Sequence, residues 1–207
     1  MTRRVDCPNE KMRLADLNQA SIRAFQRAYE QLCRGDDVKI SEGSIEPVFE
    51  LNDYEDLPRC NHEELINSLR QTVLIKLNGG MGTGMRLDKA KSLLPVRKGL
   101  NFLDIIVNQL SYLRSSYCED LRFLLMNSFS TSDDTKSYLL KYPELGNPEN
   151  IELMQNRVPK INADTLDAVN FPNSRKLEWC PPGHGDVYAS LLGTGLLDSL
   201  LDEGIRF

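Results

Sequence analysis

Four glycines, Gly79, Gly80, Gly82 and Gly84, crowd into the stretch that follows the apolar run at residues 73–77, and Arg86, Lys89 and Lys91 come directly after. Glycine lets a main chain approach a ligand with no side chain in the way. Successive free N–H groups in such a bend form a concavity suited to an anion. A lysine returning across the bend adds a point charge. The chemistry this points to is the binding of a phosphate chain. The alternative is a flexible surface turn beside a solvated basic patch, but a plain turn rarely needs four glycines.

Two familiar phosphate loops can be compared with it residue by residue. A Walker A loop requires G-x-x-x-x-G-K-[ST]. Gly79 and Gly84 have that spacing, but Met85 and Arg86 stand where the lysine and hydroxyl belong. A dinucleotide fingerprint requires G-x-G-x-x-G. Gly80 and Gly82 begin it, and Met85 occupies the third glycine position. What remains is a strand leading into L-x-G-G-x-G-T, with Lys91 further on.

The elements that must position this loop are legible in the hydrophobic pattern. Residues 73–77 (VLIKL), 121–126 (LRFLLM) and 151–155 (IELMQ) read as strands. Residues 102–117, a segment beginning at Ser132 and residues 186–204 read as helices, the last despite Gly193 and Gly195. Asp186 is expected to cap that last helix. Strand and helix in alternation give βαβ crossovers and a parallel sheet, which binds ligands at the carboxyl ends of its strands. Upstream, leucine and alanine spacing predicts one helix over residues 10–33, ended by Gly35. Residues 35–60 read as a connector, and a short helix near 62–70 is expected to be capped by Asn61. The domain reading is therefore a helical extension over 1–70 and a nucleotide-binding α/β part over 71–207. The last residues, Ile205, Arg206 and Phe207, read as the opening of a fourth strand, so the chain is expected to be part of something longer.

Composition narrows the class. The chain has 207 residues and a formal net charge of −5, which argues against general affinity for nucleic acid. It does not exclude a local basic loop holding a small anion. No apolar run approaches the roughly 20 residues of a membrane helix. Cys7, Cys33, Cys60, Cys118 and Cys180 are widely spaced, with no C-x-x-C pair, and only two histidines accompany them. That pattern suits reduced thiols in the cytoplasm better than a zinc site.

The stretch KLNGGMGTGMRLDKAKSLL resembles the nucleotide loop of the UDP-sugar pyrophosphorylases, and within them the UTP–glucose-1-phosphate uridylyltransferases. Three further stretches agree in order: LLMNSF at 124–129, QNRVPKI at 155–161 and WCPPGHGDVYASL at 179–191. The resemblance covers residues 72–207. It implies a doubly wound, Rossmann-like nucleotidyltransferase domain with a mostly parallel sheet. It further implies transfer of a uridylyl group from UTP to glucose 1-phosphate, giving UDP-glucose and pyrophosphate, with Mg²⁺ as cofactor. In that reading Leu77, Asn78, Gly79, Gly80, Gly82 and Thr83 lie along the nucleotide, and Lys91 contacts the UTP phosphates. Gln155 hydrogen-bonds the uracil edge, Gly183 offers backbone to the base, His184 touches the substrate, and Met126, with Asn127, borders the pocket.

The sequence departs from the usual family loop, G-T-S-M-G followed by G-P-K-S, at Gly84, Arg86 and Ala90. Arg86 either binds the leaving pyrophosphate or is a solvated surface residue. No carboxylate is assigned as a metal ligand. The resemblance places the metal-binding aspartate and a second catalytic lysine beyond Phe207, so the isolated chain is expected to bind uridine nucleotide without turning it over. Two other readings stay open: an N-acetylhexosamine-1-phosphate uridylyltransferase, and a non-catalytic uridine-nucleotide-binding module.

Overall fold

The computed structural model describes residues 2–80 and 89–207. In chain order the helices are α1 (Thr2–Leu14), α2 (Gln19–Arg34), α3 (His62–Arg70), α4 (Phe102–Ser116), α5 (Ser132–Leu139), α6 (Val187–Gly193) and α7 (Leu196–Asp202). The strands are β1 (Val73–Asn78), β2 (Pro95–Arg97), β3 (Leu100–Asn101), β4 (Arg122–Asn127), β5 (Glu152–Met154), β6 (Val158–Pro159) and β7 (Trp179–Cys180).

The central sheet is parallel, in the order β1-β4-β5. Leu77 pairs with Met126 and Met126 with Leu153; one step on, Asn78 pairs with Asn127 and Asn127 with Met154. The three carboxyl ends are therefore level. Side chains of β4 alternate between the two faces, as strand geometry requires. Phe123 and Leu125 join Leu103, Val107, Leu110 and Leu139 from α4 and α5 in one core. Leu124 joins Leu200, Ile205 and the flanking Val73, Ile75, Leu191 and Leu196 on the opposite face. Burying each such side chain contributes about 1.5–3 kcal/mol. Helices thus cover both faces, the doubly wound α/β arrangement expected. The backbone N–H groups of Arg206 and Phe207 donate to the Gln71 carbonyl at 2.7 and 3.0 Å, and the Val73 N–H donates to the Phe207 carbonyl at 2.9 Å. These final residues lie along the outer edge of β1 without forming a regular strand pair.

The first expected helix is in fact two. The chain leaves α1 through Asp16 at φ 54°, and Asn18 restarts it by accepting from the Ser21 N–H at 2.8 Å. The apolar spacing misleads here: Leu14 and Leu32 are 82% and 53% exposed, while Met12, Ile22 and Tyr29 are buried. Similarly, the segment expected as one helix over 186–204 breaks at Gly195, whose φ of 72° lies in the left-handed region. The predicted Asn61 cap is present as a reciprocal capping box with Glu64. The small antiparallel ribbons β2–β3 and β6–β7 carry only two or three residues a strand, too few to leave a pattern. Among the described residues no helix is long and apolar enough to cross a membrane.

Candidate nucleotide-binding site

The level strand ends are locked by a row of buried amides. Asn78 Nδ2 donates to Asn127 Oδ1 at 2.7 Å and to Thr135 Oγ1 at 2.9 Å. Asn127 Nδ2 donates in turn to Glu152 Oε1 at 2.7 Å. A buried amide must find such partners or pay for their absence. The Asn78 and Asn127 side chains are thereby committed to the sheet, and they fix the exit directions of the segments that follow β1 and β4.

Beyond this row lies a cavity of about 270 Å³ lined by Gly79, Gly80, Ser130, Gln155, Pro181, Gly183 and His184. Gln155 is its organising residue. Its backbone N–H donates to the Asn127 carbonyl at 2.7 Å, extending the register of β5, and its side chain is 3% exposed. Gln155 Nε2 donates to the Gly183 carbonyl at 2.6 Å. Gln155 Oε1 has no hydrogen-bond partner among the described residues. That oxygen lies over Gly79, where an added Cβ would overlap it and would stand 3.3 Å from Gln155 Cδ. Gly183 has φ 110°, a conformation that side chains disfavour. The turn opening at exposed His184 follows it.

Lys91 stands beside Gly80. Its N–H donates to the Gly80 carbonyl at 3.2 Å, and its aliphatic stem passes the glycine, with Cδ 3.9 Å from the position a Cβ would take. The ammonium is on an exposed residue at the cavity edge. The structure thus brings together Gly79, Gly80, Gln155, Gly183 and His184 around one cavity, with Lys91 adjacent. Leu77 is 42% exposed and Met126 is fully buried in the middle strand; neither lines the cavity, nor does Asn78. Met126 is packed between Leu77 and Leu153 in register, so the expected border role is not where its side chain is placed. Gly82, Thr83 and Arg86 lie outside the described residues.

A second polar cluster, missed in the sequence, holds the far wall. Asp186 holds the N-cap position of α6, but its side chain makes no capping hydrogen bond. Its carboxylate accepts from the Asn156 N–H at 2.7 Å and from Ser190 Oγ at 2.9 Å. Asn156 Oδ1 accepts from Asn18 Nδ2 at 2.6 Å. This chain of bonds ties the residue after Gln155 to the turn after Gly183 and to the start of α2. The i, i+4 spacing of Asp186 and Ser190 was the only local signal; the partner residues are remote in sequence. Ser130 was also missed, although it follows the quoted stretch at 124–129 by one residue.

A parallel sheet with helices on both faces is the α/β nucleotidyltransferase fold, and the cavity at the carboxyl ends of its strands lies where such sheets take their ligands. Comparison with known proteins narrows this. A model of the family described as UTP–glucose-1-phosphate uridylyltransferase matches residues 22–207, and the chain belongs to that family. The enzyme of that name from Astragalus penduliflorus is 41% identical over 150 residues, covering 70% of this chain and 31% of that protein. The one from Encephalitozoon cuniculi is 32% identical over 199 residues, covering 96% of this chain and 39% of that protein. A mutant UDP-glucose pyrophosphorylase from Leishmania major, in complex with UDP-glucose, superposes with TM-score 0.90 at 41% identity. That superposition covers 100% of this chain and 43% of the other. A Trypanosoma brucei structure superposes with TM-score 0.81 at 42% identity, covering 98% of this chain and 42% of that one. The chain spans about a third of the length of those curated relatives.

Proposed function

We propose that this chain is the UTP-binding part of an enzyme that joins UTP and glucose 1-phosphate to give UDP-glucose and pyrophosphate. The observation that carries the reading is the Gln155 amide. It is buried and clamped on one side by Gly183, and among the described residues its oxygen, beside Gly79, has no donor. Uracil carries a ring N–H that can donate to such an oxygen, while cytosine presents an acceptor at the same ring position. A site built around one hydrogen-bonding edge rejects a base lacking it, because its own buried group is then left unpaired. The names of the relatives, and the UDP-glucose in the Leishmania major complex, support the same substrate class.

In this mechanism a phosphate oxygen of glucose 1-phosphate attacks the α-phosphorus of UTP in line. The bond from that phosphorus to the bridging oxygen breaks, and pyrophosphate leaves. The protein's task is positioning and charge neutralisation. Gly79 and Gly80 let the backbone lie against the nucleotide. Lys91 places its ammonium on the phosphates as charge moves toward the leaving group. His184, at the open side of the cavity, faces the incoming sugar phosphate. Arg86, Gly82 and Thr83 would complete the loop around the triphosphate. Magnesium belongs to the proposed reaction, and Mg²⁺ takes oxygen ligands, usually including a carboxylate. The described lining residues include no carboxylate and do not make up such a ligand set, so no step is assigned through the metal.

Isothermal titration with UTP, CTP and ATP tests the reading. UTP is expected to bind at least about tenfold more tightly than CTP or ATP, the factor that one unpaired buried group costs. Equal affinities would overturn the Gln155 assignment. Assayed alone, this chain is expected to bind uridine nucleotide without forming UDP-glucose, and near-normal turnover would refute that.

A further inference from the structure

A second cavity, of about 680 Å³, opens between the end of α1, the β6–β7 ribbon and the turn before β7. It shares no lining residue with the nucleotide pocket. Lys11, Arg157, Arg175 and Lys176 line it, together with Glu178 and Trp179. Four cations and one carboxylate are an unusual concentration on a chain whose net charge is −5.

The carboxylate is already satisfied. Glu178 is buried and accepts from Lys11 Nζ at 2.6 Å and from the Phe171 N–H at 2.9 Å. Those two bonds hold its carboxyl below the usual range against the opposing effect of burial. Lys11 is spent in the same pair and in a 2.6 Å bond to the Val169 carbonyl. Arg157, Arg175 and Lys176 make no ion pair or side-chain hydrogen bond with any described residue. The Arg157 guanidinium is half-buried and stands 4.8 Å from the centre of the Trp179 ring. Stacking on an aromatic face orients a guanidinium but leaves its in-plane N–H donors unfilled. Arg175 lies within electrostatic reach of the Glu178 carboxylate, but that single carboxylate is already bonded to Lys11, so the three remaining cations, one of them set over an aromatic ring, line a common space with a surplus of positive charge.

We propose that this cavity is a second anion site, which binds a chain of two or more phosphate groups and is separate from the nucleotide pocket. Several spaced cations match a polyphosphate chain better than one phosphate, because each phosphate group carries its own charge and acceptor oxygens. The same chemistry is offered by inorganic polyphosphate and by the tail of a nucleoside triphosphate.

Trp179 is the only tryptophan in the chain, so its fluorescence reports on this cavity. Inorganic tripolyphosphate titrated at fixed ionic strength is expected to give a saturable change in that fluorescence. The R175Q/K176Q variant replaces two exposed side chains and is expected to keep the wild-type unfolding midpoint. Loss of two charge-assisted contacts should weaken binding by about tenfold or more. K91Q, which alters the other pocket, should leave this titration unchanged. R23Q/R27Q removes two exposed cations of α2 and should also leave it unchanged. Repeating the titration with ATP separates the sources: saturation at equal affinity assigns the phosphate chain alone, and tighter binding adds a base contact. Absence of a saturable signal would overturn the proposal. So would equal weakening in R23Q/R27Q, which would mean diffuse screening, or weakening in K91Q instead of R175Q/K176Q, which would assign the signal to the nucleotide pocket.

Discussion

Gly79 and Gln155 occupy each other's space. A Cβ at position 79 would overlap Gln155 Oε1, so Gly79→Ala must push the amide away from its bond to the Gly183 carbonyl. Gln155→Ala removes the same amide directly. Each substitution is expected to weaken UTP binding by about tenfold or more, the cost of one buried hydrogen-bonding group. Because both act through one amide, the double variant should bind about as weakly as either single one, a non-additivity that isothermal titration measures. Additive losses would mean that Gly79 matters to the nucleotide by another route. Gln155, Gly79 and Gly183 were legible in the sequence because each sits in a quoted motif. Asn156 and Asp186 lie in the same motifs, but their pairing across 30 residues through three hydrogen bonds was not legible. A polar side chain in a loop carries no periodicity, and its partner becomes visible only when the chain has folded.

At the scale of single elements, two sites run against the usual expectation. Gly193 closes α6, where alanine would ordinarily be better by about 1 kcal/mol. A Cβ there would run into the Asn18 side chain, which both starts α2 and donates to Asn156. Gly193→Ala is therefore expected to destabilise, by about 1–2 kcal/mol from the lost cap, seen as a lower urea midpoint. An unchanged or raised midpoint would show that Asn18 moves aside without cost. The second site is Asp104 in the first turn of α4. Burial alone would raise its carboxyl, but bonds from Lys141, Tyr142, the Asn101 N–H and Tyr138 outweigh burial and hold it far below the usual range. The folded protein thus resists protonating Asp104 more than the unfolded chain does. Its contribution is present above about pH 4, the ordinary value for aspartate, and is lost as pH falls toward the depressed value. The Tyr142 phenol, partly buried and bonded to Asp104, is pushed up to about 12, so its contribution persists below about pH 10 and is lost on rising to about 12. Asp104→Asn should flatten the acid side of a stability-against-pH curve; an unchanged acid slope would refute this. The three strands of the parallel sheet were readable because apolar runs bounded by glycine or asparagine have few alternatives. The breaks at Asp16 and Gly195 were not, since helical spacing continues across both and only backbone dihedrals mark them.

For the molecule as a whole, the question is what holds the N-terminal helices to the α/β part. Covalently they are joined by residues 35–60, every one of which is exposed, including Val48, Phe49 and Leu51 at 68%, 88% and 82%. Among the described residues, none of the hydrogen bonds or ion pairs of that stretch reaches the α/β part. The anchoring is elsewhere. Lys11 pairs with Glu178 at 2.6 Å, Asn18 bonds Asn156 at 2.6 Å, and Tyr29 donates to the Leu166 carbonyl at 2.6 Å. Ile22 and Tyr29 are buried, adding about 1.5–3 kcal/mol each. An exposed chain with few hydrogen bonds is where proteases cut first. Brief digestion is therefore expected to cleave within residues 35–60 and leave two pieces that still elute together in gel filtration. Tyr29→Phe combined with Asn18→Ala removes two of these polar anchors, each worth about 1 kcal/mol net, and should let the nicked pieces separate. Separation of the pieces of the unsubstituted protein on nicking would show that the connector, and not the helix interface, keeps the first 34 residues in place against the wall of the nucleotide pocket.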